Sequence, residues 1–395
     1  MKWMHAFVLI CVVCLSVWGT IAMATPPETR LMRYPDISRD QVVFVYAGDL
    51  WIVPRAGGQA RRLTAHPGDE LYPKFSPDGR WIAFTGEYDG NADVYVIPSE
   101  GGEPRRLTYH PASDGVLGWT PDGKKVLFRS NRYSAPPGIS RLFVVSIEGG
   151  FPEMLPVPRA TLTTFSPDGQ RIAYNPTSQE FRTWKRYRGG WTNYIGIYDL
   201  KQNTYEELPR ANALDQFPMW HGNSIYFIAD RDGVMNLYRH DLANKRVRKL
   251  TDYREYDIKW PSLGPDAITY ENGGRLYSYD LQSGQTRDIP VMVASDLTVA
   301  RPDLKTVATA IRAFNLSPTG VRALFEARGD IFTLPVEHGS TRNLTDTPGV
   351  HELNPVWSPD GKWIAYLSDR TGEYEIYLRP QKGGEEVRVS ADGDC

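Results

Sequence analysis

Residues 72–108 read YPKFSPDGRWIAFTGEYDGNADVYVIPSEGGEPRRLT, and this stretch decides the fold. At its centre Phe75-Ser76-Pro77-Asp78-Gly79 is followed at once by Trp81-Ile82-Ala83-Phe84. Pro77 presets φ for the second position of a tight turn, Asp78 tolerates the third, and Gly79 takes the left-handed position that closes it. An aromatic before the turn and an apolar run after it predict a β-hairpin. Residues 93–98 (DVYVIP) alternate as a third strand, Gly101-Gly102 turns the chain again, and residues 105–108 supply a short outer strand. The unit is a four-stranded antiparallel meander.

The unit recurs. WTPDGKKVLF occupies 119–128, FSPDGQRIAY 165–174 and WSPDGKWIAY 357–366, while the outer half returns as GGQARRLT at 57–64. Weaker first hairpins are read at 37–40, 220–223, 260–266 and 316–320. The pre-turn residue then falls at 37, 75, 119, 165, 220, 260, 316 and 357, with gaps of 38, 44, 46, 55, 40, 56 and 41. A period of roughly 40–50 residues with four strands per unit is the signature of a β-propeller. The fold class is therefore all-β.

Composition narrows the function. In 395 residues the formal charge is −2, which gives no electrostatic case for nucleic acid as a partner. Residues 1–24 differ in kind: Lys2 is the only charge, residues 7–21 are apolar, and Ala22-Met23-Ala24 has the form of a cleavage site. This reads as a secretory signal peptide and predicts a periplasmic or secreted protein. The alternative, an uncleaved anchor, is disfavoured because the run is short for a bilayer span. Cleavage would leave only Cys395, and no disulfide framework.

Six repeat units fill residues 25–290, the fourth enlarged by an insertion at 175–191. Residues 291–306 (VMVASDLTVARPDLKT) carry no repeat signature and read as a linker, and two further units occupy 307–395. Either all eight close into one ring, or six close and two begin a second, incomplete propeller. The position of the odd segment favours six plus two.

The repeated hairpins alone fit several propeller families. Trp184-Lys185-Arg186-Tyr187-Arg188-Gly189-Gly190, together with YPDISRDQVVFVYAGDLWIVP at 34–54, resembles the N-terminal part of the tricorn-type proteases, across residues 25–395. The resemblance implies a six-bladed propeller followed by a seven-bladed one, of which two blades fall in this chain. It also implies a C-terminal serine peptidase core as partner, peptides or oligopeptides guided by the propellers, and a hexameric assembly as in archaeal members. The arginine pair with which archaeal members hold a peptide carboxylate has no counterpart in His110-Pro111-Ala112-Ser113-Asp114-Gly115, so that anchor is not carried over. The runner-up is a stand-alone TolB-like propeller that binds a partner protein and catalyses nothing.

No catalytic residue is read in this chain. G-x-S-x-G is absent, and Ser76, Ser166 and Ser358 sit in turns where they start hairpins. Pro355 breaks any zinc-protease helix at His351-Glu352. His66 and His110 share the repeat position Leu-Thr-x-His-Pro, which reads as structural, and no motif calls for a metal or other cofactor. Phe75, Trp119, Phe165, Trp220, Trp260 and Trp357 are expected to share one position between blades. The residues before them, Lys74 and Lys259 among these, should alternate toward the central channel, where they are candidates for guiding peptide carboxylates. Trp184, Lys185, Arg186, Tyr187 and Arg188 lie on the face with the long loops and are the candidates for docking a peptide or another domain.

Overall fold

In the hairpin that opens residue 76, the Ser76 hydroxyl donates to Asp78 Oδ1 at 2.6 Å and accepts from the Trp81 amide at 3.0 Å. Gly79 closes the turn at φ +74°, where a side chain would be strained. The same clamp recurs at Thr120/Asp122, Ser166/Asp168 and Ser358/Asp360. The repeated serines are thus turn formers.

The computed structural model describes residues 28–133, 139–181, 185–294 and 306–390. The signal-peptide reading at 1–24 lies outside them. The chain divides into two units, Met1–Val299 and Ala300–Cys395. Unit 1 holds six four-stranded antiparallel sheets in simple sequence order. Their innermost strands are Arg33–Ile37, Glu70–Phe75, Asp114–Trp119, Thr163–Phe165, Asp215–His221 and Lys259–Leu263, which number blades 1 to 6.

Neighbouring blades bury one apolar layer between them. Phe75 packs with Val43, Val45 and Ile52 of blade 1, Trp119 with Ala83 and Val94 of blade 2, and Trp220 with Ala173 and Ile197 of blade 4. Phe44, Phe84, Phe128 and Phe227 are fully buried there. Each such side chain contributes about 1.5–3 kcal/mol by leaving water. The sixth blade packs on the first, with Ala267, Leu276 and Ile289 against Val42, Phe44 and Trp51.

Among the described residues no blade of unit 1 borrows a strand. Instead Val291–Met292 pairs in parallel with Gly58–Gln59 of blade 1, and the Thr29 amide donates to the Val291 carbonyl at 2.8 Å. A Cβ at Gly57 would lie 2.3 Å from the Pro290 carbonyl oxygen, so this clasp requires glycine there. The first two residues of the expected linker are part of the ring for this reason, and Val291 is wholly buried. Residues 295–305 lie outside the described residues.

One register expectation is corrected. Leu263, not Trp260, pairs across the hairpin with Ile268, as Phe75 pairs with Ile82 and Trp220 with Ile225. The blade 6 turn is Gly264-Pro265-Asp266, so the gaps on either side of it are 43 and 53. Trp260 belongs to a bulge three residues earlier.

Unit 2 contains two further sheets of the same kind, with innermost strands Ile311–Leu316 and Glu352–Trp357. They pack through Leu324, Ile331, Ile364, Tyr366 and Tyr377. On their remaining faces Phe314, Leu316 and Val356 stand exposed.

Candidate functional site

The innermost strands of blades 1, 2, 5 and 6 share an irregularity, which blade 3 shows at another place, between Val116 and Gly118. Their pairing slips between Arg33 and Asp36, Leu71 and Lys74, Gln216 and Met219, and Lys259 and Ser262. At each slip an aromatic residue precedes a proline: Tyr34-Pro35, Tyr72-Pro73, Phe217-Pro218 and Trp260-Pro261. The aromatics hold φ of +52°, +54°, +55° and +47°. The extra residue of a β-bulge re-aims a side chain that regular alternation would send elsewhere. Here all four rings converge. Tyr34 lies 4.9 Å from Tyr72 and 4.7 Å from Trp260 between centroids, and Phe217 lies 5.2 Å from Trp260. Burial pushes the Tyr34 and Tyr72 hydroxyls above the usual phenol range.

These rings form the floor of a central cavity of about 1350 Å³. Its walls are the six innermost strands, and its rim is built from hairpin turns such as 38–41, 76–80 and 120–121. Blades 3 and 4 supply no aromatic to the floor. The insertion of blade 4 reaches the outer side of the floor: Phe181, half exposed and not part of the cavity lining, stands 5.2 Å from Trp260 and 6.4 Å from Tyr72. Glu180, its side chain wholly buried, pairs with Arg129 of blade 3 at 2.5 Å. Thr177 and Gln179 are tied to Asn193 and Trp191 in the returning leg.

Lys74 lines the cavity, but its charge is engaged. Nζ donates to Ser262 Oγ at 2.5 Å, Ser262 Oγ donates to Asp36 Oδ1 at 2.5 Å, and Nζ stands 3.9 Å from Asp36 Oδ1. Asp36 Oδ2 accepts the Phe75 amide at 2.6 Å. Asp36, Lys74 and Ser262 each immediately precede the pre-turn residue, in blades 1, 2 and 6, so the network runs around the channel wall. Burial pushes the Asp36 carboxyl up and the Lys74 ammonium down, each partly offset by the other's charge. Lys259 does not join it. The bulge aligns Lys259 with Leu71 rather than Lys74, and it is exposed beside Glu271, outside the cavity. The two lysines are therefore not equivalent, contrary to the alternation argument.

Of the loop-face candidates, Trp184 lies outside the described residues. The cations that follow it are bound within this chain. Lys185 Nζ meets Asp257 Oδ2 at 2.8 Å, Arg186 Nε donates to the Gly233 carbonyl at 3.2 Å, and Arg188 Nη1 donates to Asp230 Oδ2 at 2.9 Å. Asp230 also accepts the Leu214 amide at 2.8 Å. Tyr187 folds back on the turn: a Cβ at Gly189 would lie 2.1 Å from its hydroxyl, which explains the glycine there. The insertion thus lays one leg against the outer side of the floor and fastens the other to blade 5 and the blade 5–6 crossover.

His66 and His110 each accept a backbone amide two residues on, at 2.9 and 3.0 Å, and cap the crossover turn. His351 bonds Tyr374 at 2.8 Å. No cluster of three metal-ligating side chains occurs among the described residues. The sequence reasoning missed the floor aromatics, Asp36, Ser262, Arg129, Glu180 and Phe181. The one signal available for the floor was the repeated aromatic-proline pair.

The comparisons with known proteins agree with this architecture. Residues 29–285 match the family described as the tricorn protease N-terminal beta propeller domain. Tricorn protease homolog 1 of Streptomyces coelicolor is 28% identical over 373 residues, covering 92% of this chain and 34% of that protein. The tricorn protease homolog of Saccharolobus solfataricus is 25% identical over 369 residues, covering 91% and 34%. The chain thus spans about a third of the length of these curated relatives. The crystal structure of the tricorn protease superposes with a TM-score of 0.62 at 20% identity, over 93% of this chain and 45% of the other, and shows the same fold. The chain belongs to the tricorn protease N-terminal β-propeller family.

Proposed function

We propose that this chain is the peptide-handling propeller portion of an exported tricorn-like serine protease, guiding peptides toward a C-terminal peptidase region. The observation that carries the reading is the central cavity of unit 1, large enough at about 1350 Å³ for a short peptide and walled by six blades of a tricorn-type propeller. Ligand pockets commonly fall in the range of about 300–1,000 Å³, and this one exceeds it. The sheets of unit 2 are read as the first two blades of a second, seven-bladed ring. Exposed Leu316, at the pre-turn position of its innermost strand, supports that, because Phe75, Trp119 and Trp220 at the same position are buried against a neighbouring blade. Export rests on residues 1–24.

The experiment is peptide binding by the purified chain, with hydrolysis followed in parallel. Capped oligopeptides should bind without being cleaved. Cleavage should appear when the C-terminal peptidase region of the parent protein is supplied. Failure of every peptide length and composition to bind would overturn the reading and favour a protein-binding propeller.

A further inference from the structure

Both cations near the cavity floor are already neutralised. Lys74 is compensated by Asp36 through Ser262, and Arg129 by Glu180, whose side chain is fully buried. A free carboxylate brought to this depth would lose its hydration and find no uncompensated positive partner, which is a large cost. Around them the lining is largely apolar, with the rings of Tyr34, Tyr72, Phe217 and Trp260 beside Leu117 and Leu127. Outside the cavity lining, Phe181 meets Trp260 at a tilt and Tyr72 edge-on.

Resting on the peptide reading above, we propose that the cavity is a well, floored by these rings, that takes one large neutral apolar side chain of a peptide, aromatic by preference. The peptide enters from the face of the hairpin turns and presents the side chain to the aromatic floor. The terminal carboxylate stays in water. Offset and edge-to-face ring contacts then add to the gain from burial.

Three probes test this on the full chain: acetyl-Ala-Ala-Phe-amide, its alanine counterpart acetyl-Ala-Ala-Ala-amide, and the free acid of the first. Titration calorimetry should show the phenylalanine amide bound about tenfold or more tighter than the other two, the size expected when one aromatic side chain leaves water. Gly118→Trp places an indole in the well and narrows it, since a Cβ at Gly118 meets nothing within 4 Å. It should remove the preference with melting temperature unchanged, and Thr164→Trp on the next blade is the second filling variant should the first fail to fold. Tighter binding of the free acid overturns the proposal. So does peptide binding that ignores the filling substitutions, although the peptide reading then survives. If no probe binds and longer peptides also fail, both fall together.

Discussion

Removing the Asp36 carboxylate tests the channel wall. It bonds the Phe75 amide of blade 2 and the Ser262 hydroxyl of blade 6, and it faces the Lys74 ammonium at 3.9 Å. Asp36→Ala therefore does three things at once. It orphans a backbone donor on Phe75, which is 8% exposed, at about 1–3 kcal/mol. It frees a hydroxyl, and it leaves Lys74 without its counter-charge. Breaking a buried ion pair from one side costs about 3–5 kcal/mol. The Lys74 side chain keeps 22% of its exposure, so water relieves part of that cost and the lower end applies, about 3 kcal/mol. At about 2–4 °C per kcal/mol for a domain of this size, the melting temperature should fall by roughly 6–12 °C. The discriminating measurement is a double-mutant cycle in urea with Lys74→Met. If the network is real, Asp36→Ala/Lys74→Met recovers part of the loss, with a coupling of at least about 1 kcal/mol. Additive effects, or an Asp36→Ala variant within about 0.5 kcal/mol of wild type, would refute the pairing and return Lys74 to the role of a free channel cation.

Two further outcomes follow from buried charge elsewhere. Arg188→Ala leaves Asp230 without its cation and loosens the returning leg of the insertion; limited proteolysis should then cut within 175–193 several times faster, while blades 1 to 3 stay protected. Glu70 is a buried acid lacking the arginine that pairs with its counterparts: eighteen residues on from Asp114 and Glu352 stand Arg132 and Arg370, whereas the equivalent residue for Glu70 is Tyr88. With Thr64, Asp49 and Arg62 as its other neighbours, burial pushes its carboxyl up to about 7 from 4.5. A raised folded pKa makes its contribution to stability fully present below pH 4.5 and lost as pH rises through about 7. Glu70→Gln should flatten the urea midpoint between those values, and an unchanged slope would contradict it.

Much of the ring was legible because its signal is local. The clamp Ser76–Asp78–Gly79 lies within four residues, and its copies set the blades in order. The outer strands followed from the Gly-Gly turns in the same way. Register failed where two local signals competed. Trp260-Pro261-Ser262 imitates the start of a hairpin, and the true turn at Gly264-Pro265-Asp266 begins only after a bulge. That misplacement carried Lys259 into equivalence with Lys74. The site itself depends on partners far apart in sequence. Asp36 meets Ser262 across 226 positions, and Arg129 meets Glu180 across 51. The cations at 185–188 were recognisable as a cluster, but nothing in their own sequence names Asp230, Gly233 or Asp257 as partners.

The bulge and its aromatics have separable causes. Unit 2 makes the same slip between Leu353 and Val356, with Asn354 before Pro355 at φ +53°. Asparagine tolerates the left-handed region several-fold better than most side chains, and bulky residues there are true outliers. The slip thus belongs to the blade, and backbone preference alone would place asparagine at it. Tyr34, Tyr72, Phe217 and Trp260 occupy it in unit 1 instead, against a cost of about 1–3 kcal/mol each. Contact among the four rings offsets part of that, at about 0.5–1.5 kcal/mol per pair. The contact exists only because all four blades make the same choice, and Phe181 of the insertion packs against two of the rings. Such agreement between separate repeats and one insertion is expected when the assembled floor is what matters. It makes the floor, rather than the charged loop above it, the place where substitutions should change what this propeller accepts.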